Sequence, residues 1–336
     1  TVDYREKTTA AGKFPGGFIK REGRPTTKEI LTCRLIDRPM RPMFPDSYSK
    51  NPKVADTSVA AMVLSVDQEN DPDVLAGIAA SAAVTVSDIP FLGPLATVRI
   101  GLIEDEVIVF PTHEQLKESK LDLVVAGTLD AVTMVECGAQ EVSEEKIIEA
   151  IAKAHEVIRE IVEMQNDLVA QVGKPKMELE DLPEHPEQKT ELQSKYADGF
   201  RERLLTEGKH ERSHAVSEYI SACLDEVSPE PEEGAEPDPS LPDRDIVKGL
   251  LRGISDQAER DLILSGTRTD GRSYTDIRDI VGEVGVLPQR VHGSCLFTRG
   301  ETQALVSVAL GTGKDQQIVD GLGEEYKERF MLHYNF

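Results

Sequence analysis

The chain has 336 residues, a length that accommodates two or three domains. Hydrophobic residues make up 39% and aromatic residues 5%, which is typical of a soluble globular protein, and no apolar run approaches the roughly 18 residues of a membrane span. Four widely spaced cysteines exclude a disulfide framework or a structural zinc site and favour a reducing, cytoplasmic compartment. The chain starts at Thr1 and ends inside a predicted strand, so we expect a sequence that is cut at both ends.

The net charge of −23 argues against nucleic acid as a partner, but the charge is unevenly distributed. Residues 1–50 carry eleven Lys and Arg against six Asp and Glu. A local basic surface can bind a phosphate backbone whatever the total charge, so a nucleic-acid partner stays open.

The first part of the chain alternates strands and helices. The segment TTKEILTCRLIDR predicts a short helix between loops rich in Gly, Pro and Arg. Residues 54–67 predict a buried strand, and the Ala-rich residues 73–86 predict a helix that packs closely on a sheet. Four short strands follow: ATVRIGLI, EVIVFP, LDLVVAGT and AVTMVECG. This order predicts an α/β segment.

The pattern becomes helical at Ser143. Apolar residues recur at helical spacing as far as Val172, and Ser143 is a suitable N-cap. Residues 188–225 continue as polar helix, and residues 245–265 predict a further short helix. Residues 226–243 are rich in Pro and acidic residues, so we expect a mobile loop there.

The pattern is again α/β from residue 268 onward. The segment SCLFTRGETQALVSVALGT predicts a hairpin that feeds a buried strand, and KERFMLHYNF predicts another strand. His292 in this part is more typical of a structural histidine than of a catalytic one, and Arg299 and Glu301 are typical of an ion pair at a turn.

The most informative segment is GKFPGGFIKREGRPTTKEILTCRLIDRPMRPMFP, residues 12–45. Phe18 follows two glycines and precedes Lys20, Arg21 and Arg24, a combination that suits a single-stranded nucleic acid, because a base stacks on the ring and phosphates meet the cations. The helix adds Arg34 and Arg38 on one face, with Arg41 just beyond. The alternative interpretation is that Phe18 packs within its loop and that the arginines pair with Glu22, Asp37 and Asp46.

Several motifs together resemble the polynucleotide phosphorylase family. PGGFIKREGRP, LTCRLIDRPMRPMFP and NDPDVLAGIAASAAVTVSDIPFLGPLATVRIG are similar to its first RNase PH-like core, and RTDGRSYTDIRDI, GVLPQRVHGSCLFTRGETQALVSVALGT and YKERFMLHYNF to the start of its second. The resemblance implies an α/β fold with two partial RNase PH-like cores, of the type of ribosomal protein S5 domain 2, joined by an all-helical domain.

The domain limits that the resemblance implies are 1–142 for the first core, 143–265 for the helical domain and 266–336 for the start of the second core. We expect 1–142 and 266–336 to belong to separate cores. A single rearranged core, with residues 330–336 paired beside residues 1–5, is the alternative.

The family's loop carries two Phe that grip RNA in the channel of the ring, and Ile19 takes the second place here. The positions of this chain that match RNA-binding positions of the family are Phe18, Lys20, Arg21, Arg24, Arg34, Arg38 and Arg41. The phosphate-binding serines and metal-binding aspartates of the family lie downstream of HYNF. We therefore expect no catalytic residue and no metal ligand in this chain.

The activity that the resemblance implies is 3′-to-5′ phosphorolysis of single-stranded RNA. Inorganic phosphate attacks the last phosphodiester and releases a nucleoside diphosphate, with Mg²⁺ stabilising the developing charge. A homotrimer, a role in mRNA degradation and membership of an RNA-degradation complex are implied too. We expect this chain to be inactive by itself.

Two other functions remain open. A non-catalytic, RNA-binding ring subunit of the exosome type is one, although such subunits carry one core each. A small-molecule α/β enzyme is the other, although the sequence contains no complete nucleotide or metal motif.

Overall fold

The computed structural model describes residues 1–16, 20–49, 56–179, 185–230 and 241–335. The chain forms two compact units. The first consists of Thr1–Leu182 together with Asp315–Phe336, and the second consists of Pro183–Lys314.

The elements follow one another in this order along the described residues. The strands are β1 (Val2–Glu6), β2 (Val59–Val63), β3 (Ala96–Ile103), β4 (Glu106–Val109), β5 (Leu121–Gly127), β6 (Val132–Ala139), β7 (Ile280–Val284), β8 (Gly293–Arg299), β9 (Thr302–Val308), β10 (Gln317–Val319) and β11 (Tyr326–Glu328). The helices are α1 (Thr27–Met40), α2 (Asp46–Ser49), α3 (Asp73–Val86), α4 (His113–Glu118), α5 (Glu144–Val172), α6 (Pro186–Leu204), α7 (Lys209–Val227) and α8 (Arg244–Leu264).

The larger core of the first unit is a four-stranded antiparallel sheet, in the order β4-β3-β5-β6, against which α5 packs. The helix begins at Ser143, whose side chain accepts a hydrogen bond from the Lys146 N–H. One apolar stripe of α5 is completely or almost completely buried: Ala150, Ala154, Ile158 and Val162. The strands present Val98, Ile100, Leu123 and Val125 to the same cluster. Burial of each large aliphatic side chain contributes about 1.5–3 kcal/mol.

A second core in this unit forms around the parallel pair β1 and β2. Tyr4 of β1 is completely buried and packs with residues from α1 and α3. Leu322 belongs to the same cluster, although it lies more than 300 residues further along the chain. Residues 315–335 therefore complete the first unit.

The described residues of the second unit form three helices and one sheet. Helices α6, α7 and α8 pack around the buried side chains of Phe200, Leu224, Val247 and Leu251. The sheet is antiparallel, in the order β7-β8-β9.

The predicted helices at residues 73–86 and 143–172 are confirmed, as are the four strands between them. The strand predicted at 54–67 is shorter, since β2 covers Val59–Val63 and residues 54–55 lie outside the described ones. The single polar helix predicted at 188–225 is wrong: α6 and α7 are separate, because Gly208 takes a φ of 84° that a helix does not allow.

The strand predicted for KERFMLHYNF is also wrong for most of its length. Only β11 is a strand, and residues 329–335 have no regular structure. In the described part of the chain β1 pairs with β2 alone, so the rearranged core in which 330–336 lies beside 1–5 is not formed.

The predicted domain limit after residue 142 separates α5 from the sheet against which it packs. The compact first unit continues through this helix. Most of the acidic loop predicted at 226–243 lies outside the described residues, so its mobility stays a prediction.

Candidate nucleic-acid interface

Helix α1 presents the basic residues of the candidate surface. Its first turn is a capping box in which the Thr26 hydroxyl accepts from the Glu29 N–H (3.2 Å) and the Glu29 carboxylate accepts from the Thr26 N–H (2.6 Å). Glu29 also accepts from the N–H of Glu6 in β1 (2.9 Å), which ties the helix to the sheet. Burial opposes ionisation of Glu29, but these N–H groups hold its pKa below the ordinary value.

The inner face of α1 is buried through Leu35, Ile36 and Met40. Arg34 and Arg38 lie on the opposite, exposed face, and Arg41 follows at the helix end, also exposed. The spacing of four and three residues aligns the three side chains along one stripe. The prediction that Arg34 and Arg38 share one exposed face is therefore confirmed.

The three arginines differ in their partners. Arg41 makes two hydrogen bonds to Asp37, at 2.6 and 3.1 Å, as the alternative interpretation predicted. Arg38 pairs with Glu136 at 2.7 Å, a contact with β6 that the sequence did not indicate. Arg34 makes no salt bridge to any residue that the structure describes. Exposed ion pairs contribute only about 0–1 kcal/mol, so phosphate groups can compete for Arg38 and Arg41.

The loop before α1 carries the other cations. Lys20, Arg21 and Arg24 are exposed, and none of them forms a salt bridge within the described part of the chain. Glu22, which the alternative interpretation gave to an arginine, pairs instead with Lys7. Phe18 lies outside the described residues, so its role remains a prediction.

Ion pairs lie at the start of α1 and at the start of α3. Lys28 bridges Glu6 (2.9 Å) and Asp71 (3.2 Å), and Arg99 of β3 pairs with Asp73 (2.9 Å). Burial raises the pKa of Asp73, although Arg99 opposes this shift. Burial disfavours the charge of Lys28, but Asp71 and Glu6 hold its pKa above the ordinary value. Arg99 is therefore committed to the fold, whereas the Lys28 side chain remains 45% exposed beside its two partners.

His292 and Glu301 both accept hydrogen bonds within the fold. The His292 ring nitrogen Nδ1 accepts a hydrogen bond from the Leu310 N–H at 2.6 Å, which holds the segment that follows β9. Glu301 accepts from the N–H of Lys209 at the start of α7 (2.9 Å) and has no ion pair with Arg299 among the described contacts. The structural role of His292 is confirmed, and the Arg299–Glu301 pair is wrong.

In the described ranges, no group of three or more His, Cys, Asp or Glu side chains is arranged to hold a metal ion. Along the same residues, no helix has both the length and the apolarity to cross a membrane.

Two family models match the first unit. Residues 1–90 match the 3′ exoribonuclease family, domain 1, and residues 93–157 match domain 2 of the same family. The second match extends into α5. Rice Rrp46 superposes on 50% of this chain, covering 72% of that chain, with a TM-score of 0.39 and 15% sequence identity.

Several bacterial relatives are identical to this chain at almost half of the aligned positions. It is 44% identical to the polyribonucleotide nucleotidyltransferase of Rhodopirellula baltica, over 99% of this chain and 43% of that protein. It is 46% identical to those of Geobacter sulfurreducens and Thermosipho melanesiensis, over 100% of this chain and 46% and 47% of those proteins. The chain thus spans less than half the length of these relatives. It belongs to the 3′ exoribonuclease family and, within it, to the polyribonucleotide nucleotidyltransferases.

Proposed function

We propose that the protein is a 3′-to-5′ phosphorolytic exoribonuclease of single-stranded RNA that releases nucleoside diphosphates during mRNA degradation. We further propose that this chain supplies part of the RNA path, with the reaction centre formed by other residues of the enzyme. The proposed RNA-binding residues are Phe18, Lys20, Arg21, Arg24, Arg34, Arg38 and Arg41.

The observation that carries this proposal is the cationic surface of the loop and α1. Within a chain of net charge −23, four exposed cations have no salt-bridge partner in the described part: Lys20, Arg21, Arg24 and Arg34. Unpaired cations on an otherwise acidic protein attract a polyanion locally, and the acidic remainder disfavours non-specific binding elsewhere.

The reaction in this proposal is displacement at the last phosphodiester of RNA. An oxygen of inorganic phosphate forms a bond to the phosphorus, the bond to the 3′ oxygen of the preceding nucleotide breaks, and a nucleoside diphosphate leaves. The residues of this chain would hold the RNA backbone and orient it. Mg²⁺, a homotrimeric ring, an RNA-degradation complex and a cytoplasmic location are parts of the same proposal. So are the domain limits 1–142, 143–265 and 266–336.

The test measures binding and catalysis separately. Binding of a fluorescent single-stranded oligoribonucleotide is followed by anisotropy at several salt concentrations. Three or four phosphate contacts give a log–log salt slope of about −0.7 per contact, so we expect a slope of roughly −2 to −3. Arg34→Ala should weaken binding for all sequences alike and reduce the slope by about one contact.

Catalysis is tested with RNA, phosphate and Mg²⁺. We expect nucleoside diphosphate from the full-length enzyme and none above a blank from residues 1–336 alone. Release by this chain would contradict the placement of the reaction centre. A full-length protein that binds RNA but releases no nucleoside diphosphate would support the exosome-type ring subunit instead.

A further inference from the structure

Phe14 is an aromatic residue whose side chain is almost fully exposed. Its side chain is 87% exposed, the largest value among the exposed large hydrophobic side chains of the described residues. A ring that is this exposed leaves its faces accessible to a stacking ligand.

The backbone that leads to Phe14 is held in place. The N–H of Gly12 donates to the Thr9 carbonyl (3.0 Å), and the N–H of Lys13 donates to the Thr8 carbonyl (3.2 Å). The Lys13 ammonium donates to the carbonyls of Gly321 (2.9 Å) and Gly323 (2.7 Å). Phe14 therefore projects from an anchored backbone, and little conformational entropy is lost if a ligand contacts its ring.

The backbone after Phe14 returns close to the cationic residues. A Cβ added to Gly16 would lie only 2.7 Å from the Arg21 carbonyl oxygen, so these two backbone positions are in direct contact. Gly16 also has a φ of 60°, which favours glycine. This contact brings the residue two positions after Phe14 against Arg21, beside the exposed Lys20.

We propose that Phe14 is an additional RNA-binding residue, whose ring stacks on an unpaired base while Lys20, Arg21 and Arg24 hold the neighbouring phosphates. An exposed ring in the same segment as exposed cations that form no salt bridge among the described residues fits single-stranded nucleic acid, because bases stack on aromatic faces and phosphates pair with the cations. An apolar protein partner fits less well, because it would leave three cations without counter-charges. The inference rests on the proposed function and adds a base contact to it.

The test uses three variants of the protein: Phe14→Ala, Phe14→Leu and Phe14→Trp. The ligands are a labelled oligouridylate and an abasic oligomer of the same length, which keeps the sugar–phosphate backbone but has no bases. We expect Phe14→Ala to weaken oligouridylate binding about fivefold to a hundredfold, Phe14→Leu to weaken it similarly, and Phe14→Trp to bind at least as tightly as the parent. The salt slope should not change, since no phosphate contact is lost.

The abasic ligand supplies the decisive control. Stacking needs a base, so all three variants and the parent should bind the abasic oligomer equally. An equal loss on both ligands would overturn the proposal, because it would show that Phe14 supports the loop or contacts the backbone. Binding of oligouridylate by Phe14→Ala at parental affinity would overturn it too.

Arg24→Ala separates this inference from the proposed function. If Arg24→Ala and Arg34→Ala weaken binding and reduce the salt slope while Phe14→Ala has no effect, only the stacking inference fails. If none of the arginine variants changes RNA binding, the proposed RNA path itself fails. Thermal unfolding of each variant shows whether the fold is preserved.

Discussion

In the described part of the chain, the four-stranded β3–β6 sheet and the three-stranded β7–β9 sheet differ in whether a helix packs against one face. The β3–β6 sheet is covered by α5, and Val98, Ile100, Leu123 and Val125 are completely buried. In the β7–β9 sheet, register places Val284, Cys295, Phe297, Val306 and Val308 on one face. Val284 is 83% exposed and Val306 is 44% exposed.

This comparison shows that an apolar pattern in the strands does not by itself produce a buried core. Both sheets have an apolar face, but only the face that a helix covers removes that surface from water. An exposed apolar face favours association. Matched substitutions in the two sheets, or at the edge of a sheet, test the effect of the covering helix.

The largest difference in the free energy of unfolding should follow truncation of a buried side chain of α5. Ile158 of α5 is completely buried, and Ile158→Ala should lower the free energy of unfolding of the first unit by about 2–5 kcal/mol. The matched change Leu305→Ala removes a 60% exposed side chain of β9 and should change stability by less than about 0.5 kcal/mol. Urea unfolding measures both. Similar losses in the two variants would refute the comparison.

A smaller difference is expected for one buried hydroxyl. Ser119 donates to the Leu121 carbonyl (2.6 Å) and accepts from the Leu102 N–H (2.8 Å), so it links β3 to β5. Ser119→Ala leaves these groups unsatisfied and should cost about 1–3 kcal/mol. Ser307→Ala on the exposed β9 is the control and should be neutral within about 0.5 kcal/mol. A neutral Ser119→Ala in urea unfolding would contradict this assignment.

The edge of the β1–β2 sheet should make stability depend on pH. Glu29 accepts hydrogen bonds from Thr26 and Glu6, and its folded pKa is lowered. Its contribution is therefore present above the ordinary glutamate pKa and is lost as pH falls through the lower, folded value. Glu29→Gln should remove this component at neutral pH, at a cost of about 1 kcal/mol.

Thermal unfolding between pH 7 and pH 3 measures the effect of Glu29. The parent should lose more stability on acidification than Glu29→Gln does. Parallel curves for the two proteins would show that the carboxylate is not the source of the pH dependence.

The smallest effect on stability is expected at the exposed face. Val284→Lys places a charge where the side chain is already in water, so unfolding should be unchanged within about 0.5 kcal/mol. Light scattering should show weaker self-association, since the charge interrupts the apolar face. Val98→Lys in the covered sheet is the contrast, and it should prevent the first unit from folding. Unchanged scattering by Val284→Lys would mean that this face does not mediate association.

Local patterns predicted much of the first unit. The helical period and the Ser143 cap predicted α5, and the small residues of 73–86 predicted α3. The basic stripe of α1 followed from a spacing of four residues. Each of these features depends on side chains within a few turns of one another.

Long-range contacts account for most of what the sequence did not indicate. The Arg38–Glu136 pair joins residues 98 positions apart, and Leu322 packs with Tyr4 across most of the chain. The exposure of Phe14 is also a long-range property, because it depends on which segments of the chain lie near the ring. The break between α6 and α7 was a local signal at Gly208 that the polar helical pattern obscured.

The Lys13 contacts have a consequence for the order of events during synthesis. Leu322 and the carbonyls that Lys13 binds leave the ribosome after all of the second unit has been made. The first unit therefore remains incomplete until about 140 further residues after Leu182 have been synthesised. At usual elongation rates this interval is on the order of ten seconds. During that time the pocket for Leu322 is open, and a nascent chain is at its most vulnerable to proteases and chaperones.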